Sequence, residues 1–523
     1  MSSRTWTLVA VVIGSGIVFL DSTVVNVALR AIAEQLPATL VGSLEAQTYI
    51  VNGYLLSLAS LLILAGALGD TYGRRRMFVV GLAGFGVTSL LCGVAPTMEL
   101  LIAARLGQGA FGALLVPTSL AIINATFDGP ERGAAFGTWA AATSALVLLG
   151  PPLGGFLVDT WGWRVAFLIN VPLVAIGVAI ALARVAESRN PDVPARFDWL
   201  GAAAIAIAVG GLAYGAIRGQ AQNWTDASAW AALAVGAVAT VSLWPLMTRR
   251  RDPLVPPSLF RSRNFTITNI STLLIYGALY VLSAFQAIYL QGAIGYTAAA
   301  SGFAGIPISV ALVFFSRTFG RLAGVHGPRL FMAVGPALMA LGLLWYVRFP
   351  ADSEAWLLNV GDPGTFIPPP GYFVDVLPGL VLFAVGIAML VAPLTTALMS
   401  SVPTGNSGLA SAINNAISRI GPLLATAVIF IAVSGAFYGR LAEHLPSGDA
   451  SSPELRATFP PLNAPAASVS EAERLAARDA STEAFRLAML IAALLCAGGA
   501  AVNGAGIVNS RTDDHADEVS AAG

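Results

Sequence analysis

Apolar residues recur along this chain in blocks of about 20, separated by short polar breaks, the length one helix needs to cross the hydrocarbon core of a bilayer. Fourteen blocks can be drawn, at 8–29, 48–69, 78–95, 99–123, 135–158, 165–184, 198–217, 228–247, 265–290, 299–317, 329–348, 374–399, 409–436 and 483–507. The pattern predicts an all-α polytopic membrane protein with fourteen transmembrane helices. The first block follows Arg4 and resembles a signal-peptide core. It is too long for one, contains Asp21 and lacks a small-x-small cleavage site, so it reads as a retained helix.

Composition agrees. The 523 residues are 56% hydrophobic and 11% charged, with a mean hydropathy of +0.76. A soluble domain carries about 25% charged residues, so no ordinary soluble surface can be built from this chain. The 28 basic and 28 acidic residues balance, leaving no global field to recruit nucleic acid. All the basic residues are Arg. Without Lys there is no Walker-type phosphate loop and no Schiff-base chemistry, so the chain is not itself a pump ATPase. Cys92 and Cys496 lie in apolar blocks, and His326, His444 and His515 are scattered. No disulfide framework, metal spacing or catalytic triad emerges, and no enzyme or cofactor is expected.

Arginines give the orientation. With the N-terminus inside, the even-numbered connections hold Arg74, Arg75, Arg76, Arg132, Arg184, Arg189, Arg196, Arg249, Arg250, Arg251, Arg261, Arg263, Arg321 and Arg329. The short outer connections hold only Arg30, Arg164, Arg218 and Arg348. The positive-inside rule places both termini in the cytoplasm. Two outer loops are long. Residues 349–373, with Pro368-Pro369-Pro370, read as ordered or semi-rigid. In 437–482 the helix-forming stretch 471–479 predicts a short helical excursion outside the membrane.

The stretch Gly66-Ala-Leu-Gly-Asp70-Thr-Tyr-Gly73-Arg-Arg75 after span two recurs as Gly320-Arg-Leu-Ala-Gly324-Val-His-Gly327-Pro-Arg329 after span ten. At an offset of 254, glycines 66, 73 and 81 fall on 320, 327 and 335, and Arg75 falls on Arg329. Duplicated halves around a central pathway are a recurrent transporter architecture. The expected organisation is a six-helix half at 1–185, a linker with two inserted helices at 186–262, a second half at 263–510 containing the long loop, and a cytoplasmic tail at 511–523.

Five motifs carry a family resemblance: Leu20-Asp21-Ser-Thr-Val-Val-Asn26-Val-Ala-Leu29 in span one; the loop 66–76; Arg105-Leu-Gly-Gln108-Gly109-Ala-Phe-Gly112 in span four; Gly150-Pro151-Pro152-Leu-Gly154-Gly155 in span five; and Trp163-Arg164-Val-Ala-Phe167-Leu-Ile-Asn170-Val-Pro172. Together they resemble the major facilitator superfamily, specifically its fourteen-helix drug:proton antiporters of EmrB/QacA type. The resemblance covers nearly the whole chain and implies two six-helix bundles with two extra central helices. It implies proton-coupled, alternating-access efflux of amphipathic small molecules across a bacterial plasma membrane, driven by the proton gradient without an ATPase subunit. A dedicated exporter of an endogenous metabolite or antibiotic, or a membrane sensor on the same scaffold, are the other readings. Arg30 replaces a customary Pro, Leu146 a frequent Gly, and Gly324 the acid corresponding to Asp70.

The same residues have a physical reading. A carboxylate deep in an apolar helix is costly; burial favours the neutral acid and a nearby cation favours the carboxylate. Asp21 can therefore load and release a proton, or it can simply tie helix one to a neighbour. Arg105 stays charged and is the candidate partner, with Gln108 beside it. Asp70, Gly73 and Arg75 are candidate gating residues, able to latch one conformation. Gly150, Pro151, Gly154 and Gly155 are candidate hinge or close-packing positions. Asn26, Gln108, Trp139, Tyr276, Tyr280, Gln286 and Tyr289 are candidate cavity residues, the aromatics suited to amphipathic cations. With one deep carboxylate, exchange of one proton for one monovalent cation is electroneutral. A dication would move charge outward at about 2.3 kcal/mol per charge per 100 mV, so neutral or monovalent compounds are the expected cargo.

Overall fold

The computed structural model describes residues 2–36, 43–189, 197–221, 226–250, 252–359, 361–444, 453–466 and 468–509. The expected tail at 511–523 lies outside the described residues. The first half comprises α1 (Ser3–Gln35), α2 (Ser43–Tyr72), α3 (Arg74–Val94), α4 (Met98–Thr126), α5 (Gly129–Trp161) and a crossing split into α6 (Arg164–Leu168) and α7 (Asn170–Arg184). A hairpin follows, α8 (Trp199–Ala221) and α9 (Ala227–Arg249). The second half contains α10 (Arg263–Tyr289), a crossing split into α11 (Ala298–Ala304) and α12 (Ile306–His326), then α13 (Arg329–Tyr346), α14 (Leu377–Ser400), α15 (Ser407–His444), the short α16 (Pro453–Thr458) and α17 (Glu471–Gly506). No strand occurs among the described residues. Twelve helical segments there are long and apolar enough to cross a membrane. The long helices α5 and α15 occupy the places of the fifth and thirteenth predicted spans.

The internal repeat is visible in the backbone. Gly73 and Gly327, paired by the 254-residue offset, both adopt positive φ, 107° and 83°, a region that favours glycine. Each turn is closed by a polar residue three positions beyond the last helix of its own half. Glu187 accepts from the backbone N–H groups of Arg75 and Arg76 at 3.0 and 3.2 Å. Asn509 accepts from the N–H of Arg329 at 3.1 Å. Both satisfy donors left open at a helix start.

The halves meet through α2 against α15 and α5 against α12. At their glycines these contacts bring backbone against backbone. A Cβ built at Gly66 would lie 2.4 Å from the Gly408 carbonyl oxygen, and one at Gly320 would lie 2.4 Å from that of Gly133. Gly324, where the first half has Asp70, packs on Pro130 at the start of α5.

The α8–α9 hairpin is laid against the outside of this contact. Helix α8 packs on α2 and α15, while α9 packs on α8 and is almost wholly exposed. Arg218 anchors one end, donating to Asp226 at 2.7 Å and to the Tyr49 hydroxyl at 2.8 Å. Bonds from the Ser228 backbone and hydroxyl, then Arg218, hold the Asp226 carboxyl below its usual range. Asp198 anchors the other end, accepting from Arg250, Leu254 N–H and Gly201 N–H.

The long connection after span thirteen differs from expectation. The stretch 471–479 is no separate excursion; it forms the opening turns of α17, which runs unbroken to Gly506. Ser470 and Glu473 form a reciprocal capping box that starts the helix there, and no breaker separates it from the apolar span. Helix α15 likewise continues to His444, where Arg440 bonds Asp479 at 3.2 Å. Loop 349–373 is held by α17: Arg478 donates to the Ser353 carbonyl at 2.7 Å and Arg486 to that of Phe349 at 2.8 Å.

Candidate functional site

Asp21 and Arg105 pair directly. Both are buried, on α1 and α4, and Arg105 Nη1 lies 2.5 Å from Asp21 Oδ2. Arg105 also donates to Gln108 Oε1 at 2.7 Å and to the Ile50 carbonyl at 3.2 Å. Its guanidinium lies 4.2 Å from the Tyr54 ring centroid, a cation–π distance. The other carboxylate oxygen, Oδ1, accepts from Gln108 Nε2 and from Asn170 Nδ2, each at 3.0 Å. Ser89 completes the network, accepting from Gln108 and Asn170 and donating to the Phe167 carbonyl. Three first-half elements, α1, α4 and α7, thus meet at one carboxylate, with α3 joined through Ser89 and α2 held through Arg105.

The glycine motif of α5 sits next to Asp21. A Cβ at Gly150 would meet Thr23 Oγ1 at 1.8 Å, and one at Gly154 would meet Val24 Cα at 3.1 Å. These two glycines let α5 lie on α1 one turn from the buried acid. Gly155 faces open space, with nothing near its absent Cβ. The Pro151 side chain lies outside the described residues, as does that of Asn26. Leu146 is accommodated because Gly16 of α1 leaves room: a Cβ there would lie 2.3 Å from Leu146 Cδ1.

At the far end of α2, Asp70 bridges the halves. Its Oδ1 accepts from Gly408 N–H at 3.1 Å and its Oδ2 from Leu409 N–H at 2.8 Å. A carboxylate on the first free N–H groups of α15 also complements the helix dipole. The arginine that completes this latch is Arg74, not Arg75. Arg74 is buried, bonds Asp70 through Nε at 3.0 Å and Nη2 at 2.9 Å, and reaches the carbonyls of Thr404 and Gly405. The reason is the Gly73 turn, whose positive φ sets the phase of α3 against α2. Arg74 stands four residues from Asp70 across the Gly73 turn, whereas Arg75 points to Glu187 and the Val185 carbonyl within its own half.

The cavity candidates do not form one set. Trp139 of α5 is buried edge-to-face with Phe19, and its indole N–H has no partner. Tyr276 is partly exposed and Tyr280 is 45% exposed on α10. Gln286 is buried. Tyr289 is a core residue of the second half, stacked on Phe485 at 4.2 Å with its hydroxyl 2.9 Å from Thr482. Reading the sequence passed over Asn170, Ser89 and Tyr54. Asn170 stood in a quoted motif, but nothing local marks it as a ligand of Asp21. No group of three or more His, Cys, Asp or Glu among the described residues is arranged to hold a metal.

Residues 11–426 match the Major Facilitator Superfamily. The chain belongs to this superfamily. It is a multi-pass membrane transporter of small molecules, not an enzyme. Relatives include the multidrug resistance protein Stp of Mycobacterium tuberculosis, 33% identical over 84% of this chain and 78% of its own. The tetracenomycin C resistance and export protein of Streptomyces glaucescens is 31% identical over 82% and 76%. The methylenomycin A resistance protein of Bacillus subtilis is 32% identical over 82% and 88%. Among solved structures, the human organic anion transporter MFSD10 superposes with a TM-score of 0.58 over 95% of this chain and all of that one, at 14% identity. The proton:xylose symporter XylE superposes at 0.56 over 94% and 95%, also at 14% identity. Both show the shared fold.

Proposed function

We propose that this transporter exports amphipathic small molecules across a bacterial plasma membrane in exchange for protons, with both termini in the cytoplasm. The family and the resistance and export functions of its relatives support efflux. The observation that carries proton coupling is the buried Asp21–Arg105 pair and the helices it touches. Arg105 grips α2 at Ile50 and Tyr54, while α5 rests on α1 beside Asp21. The same two helices make the most extensive contacts between the halves, α2 through Gly66 and Asp70, α5 through Gly133. Sixteen residues of helix separate Tyr54 from Asp70, about 24 Å of rod.

The chemistry follows from the charges. As a carboxylate, Asp21 cancels Arg105 and accepts from three side chains. Protonation removes the charge and turns one oxygen into a donor, while Arg105 remains charged. The grip on α2 and the seating of α5 then change together, which biases the half-to-half contact at the Asp70 end. That is a bistable element moved by one proton. A proton entering from outside resets the carrier after release. A dedicated exporter of one antibiotic is the second reading, favoured by relatives named for single compounds.

Inside-out vesicles test the exchange. In acid-loaded vesicles carrying this protein, adding a transported lipophilic compound of zero or single charge is expected to raise the lumenal pH as the compound accumulates. Accumulation with no lumenal pH change, and insensitive to a proton ionophore, would contradict proton exchange.

A further inference from the structure

Arg419 is a charge with no ion-pair partner among the described residues. It lies on α15, twelve residues past Ser407, about 18 Å along the helix from the Asp70 latch. That places it near mid-depth of a hydrocarbon core about 30 Å thick. Its Nε is buried without a hydrogen-bond partner, and it makes no ion pair among the described residues. The position is between the halves: α15 packs on α2 and α4 as well as on α10. Tyr276 stands on α10, one of the helices packed against α15.

Asp21, the deep carboxylate of the first half, is committed. Asp21 already accepts from Arg105, Gln108 and Asn170, so it does not neutralise Arg419. An unpaired guanidinium at this depth is costly, and intramembrane charges mark ligand pathways. Its planar guanidinium fork suits a carboxylate or similar oxyanion. Tyr276, partly exposed on α10, adds aromatic surface for an apolar body.

We propose that Arg419 recognises the anionic head group of an amphipathic substrate, so that this transporter selects organic anions over cations of the same shape. The inference rests on the export reading for its physiological sense, yet it concerns binding and is tested by binding alone. It reverses the preference for amphipathic cations expected from the aromatic residues, because a full positive charge repels the cations that ring faces attract.

The test uses full-length protein in a neutral detergent with two probes that share one apolar body, pyrenebutyrate and pyrenebutyltrimethylammonium. Equilibrium binding is followed by pyrene fluorescence anisotropy. Wild-type protein is expected to bind the anion at least about tenfold more tightly than the cation, a gap of 1.4 kcal/mol or more. Arg419→Gln is expected to lose about tenfold or more in anion affinity and to gain cation affinity. Arg419→Lys keeps the preference for the anion at reduced strength. The proposal is overturned if the wild type fails to bind the anion or does not prefer it. Equal loss of both probes in Arg419→Gln overturns it too, since that is the mark of a structural role. Because no proton gradient enters the assay, its failure leaves proton-coupled export untouched.

Discussion

Replacing Arg105 with Ala is expected to abolish gradient-driven export and to destabilise the first half by about 3–5 kcal/mol, the usual result of stripping one partner from a buried ion pair. Asp21 would be left with only the neutral donors Gln108 and Asn170. Protonation of Asp21 would then no longer change its pairing with a cation, so its coupling to α2 is lost. The cation over Tyr54 and the bond to the Ile50 carbonyl vanish as well, releasing α2. Arg105→Lys preserves the charge but cannot reach Asp21, Gln108 and Ile50 at once, because an ammonium lacks the guanidinium fork. Its export is expected to fall at least about tenfold while folding is largely kept. Thermal unfolding of purified protein and efflux from vesicles check the two effects separately.

The second large effect belongs to the latch. Asp70→Asn removes the charge that holds Arg74 and the start of α15, and Arg74→Ala leaves a buried carboxylate facing α15 alone. Each variant is expected to cost about 3–5 kcal/mol in the conformation seen here, where the halves are closed at the Asp70 end. A change of that size exceeds a hundredfold in population and is expected to cut export at least tenfold. Arg75→Ala serves as the contrast. Its pairing with Glu187 is 3.9 Å long and about one-third exposed, and such pairs contribute about 0–1 kcal/mol, so export is expected to change less than twofold. Spin-label distances across the α2–α15 contact report the population, and transport assays report the consequence.

The contrast between Arg74 and Arg75 shows where a sequence stops being readable. The helices were legible because hydrophobic runs of about 20 residues have one physical solution in a bilayer. The repeat was legible because Gly73 and Gly327 both need positive φ. Asp21 and Arg105 stood out as charges in the wrong solvent, and they do meet. Which arginine of three consecutive ones faces inward was not legible, since it depends on the helical phase set by the Gly73 turn. Asn170 and Ser89 were hidden because ordinary polar residues gain meaning only from a partner distant in sequence. Arg419 was missed for a different reason: it carries no motif, and its lack of a partner is a fact of packing. The 471–479 stretch was rightly helix-forming, but only the capping box at Ser470 shows that it opens the last span.

The central claim is that Asp21 is the group through which the proton gradient drives export. The most direct measurement compares wild type and Asp21→Asn in inside-out vesicles with an imposed acid-inside gradient, using any compound the wild type moves. Asparagine keeps the size and the amide contacts but cannot release a proton. Gradient-driven accumulation is expected in the wild type, and none above the protein-free background in the variant, with both proteins eluting alike as folded species. Accumulation by Asp21→Asn that still rises with the pH gradient would contradict the account.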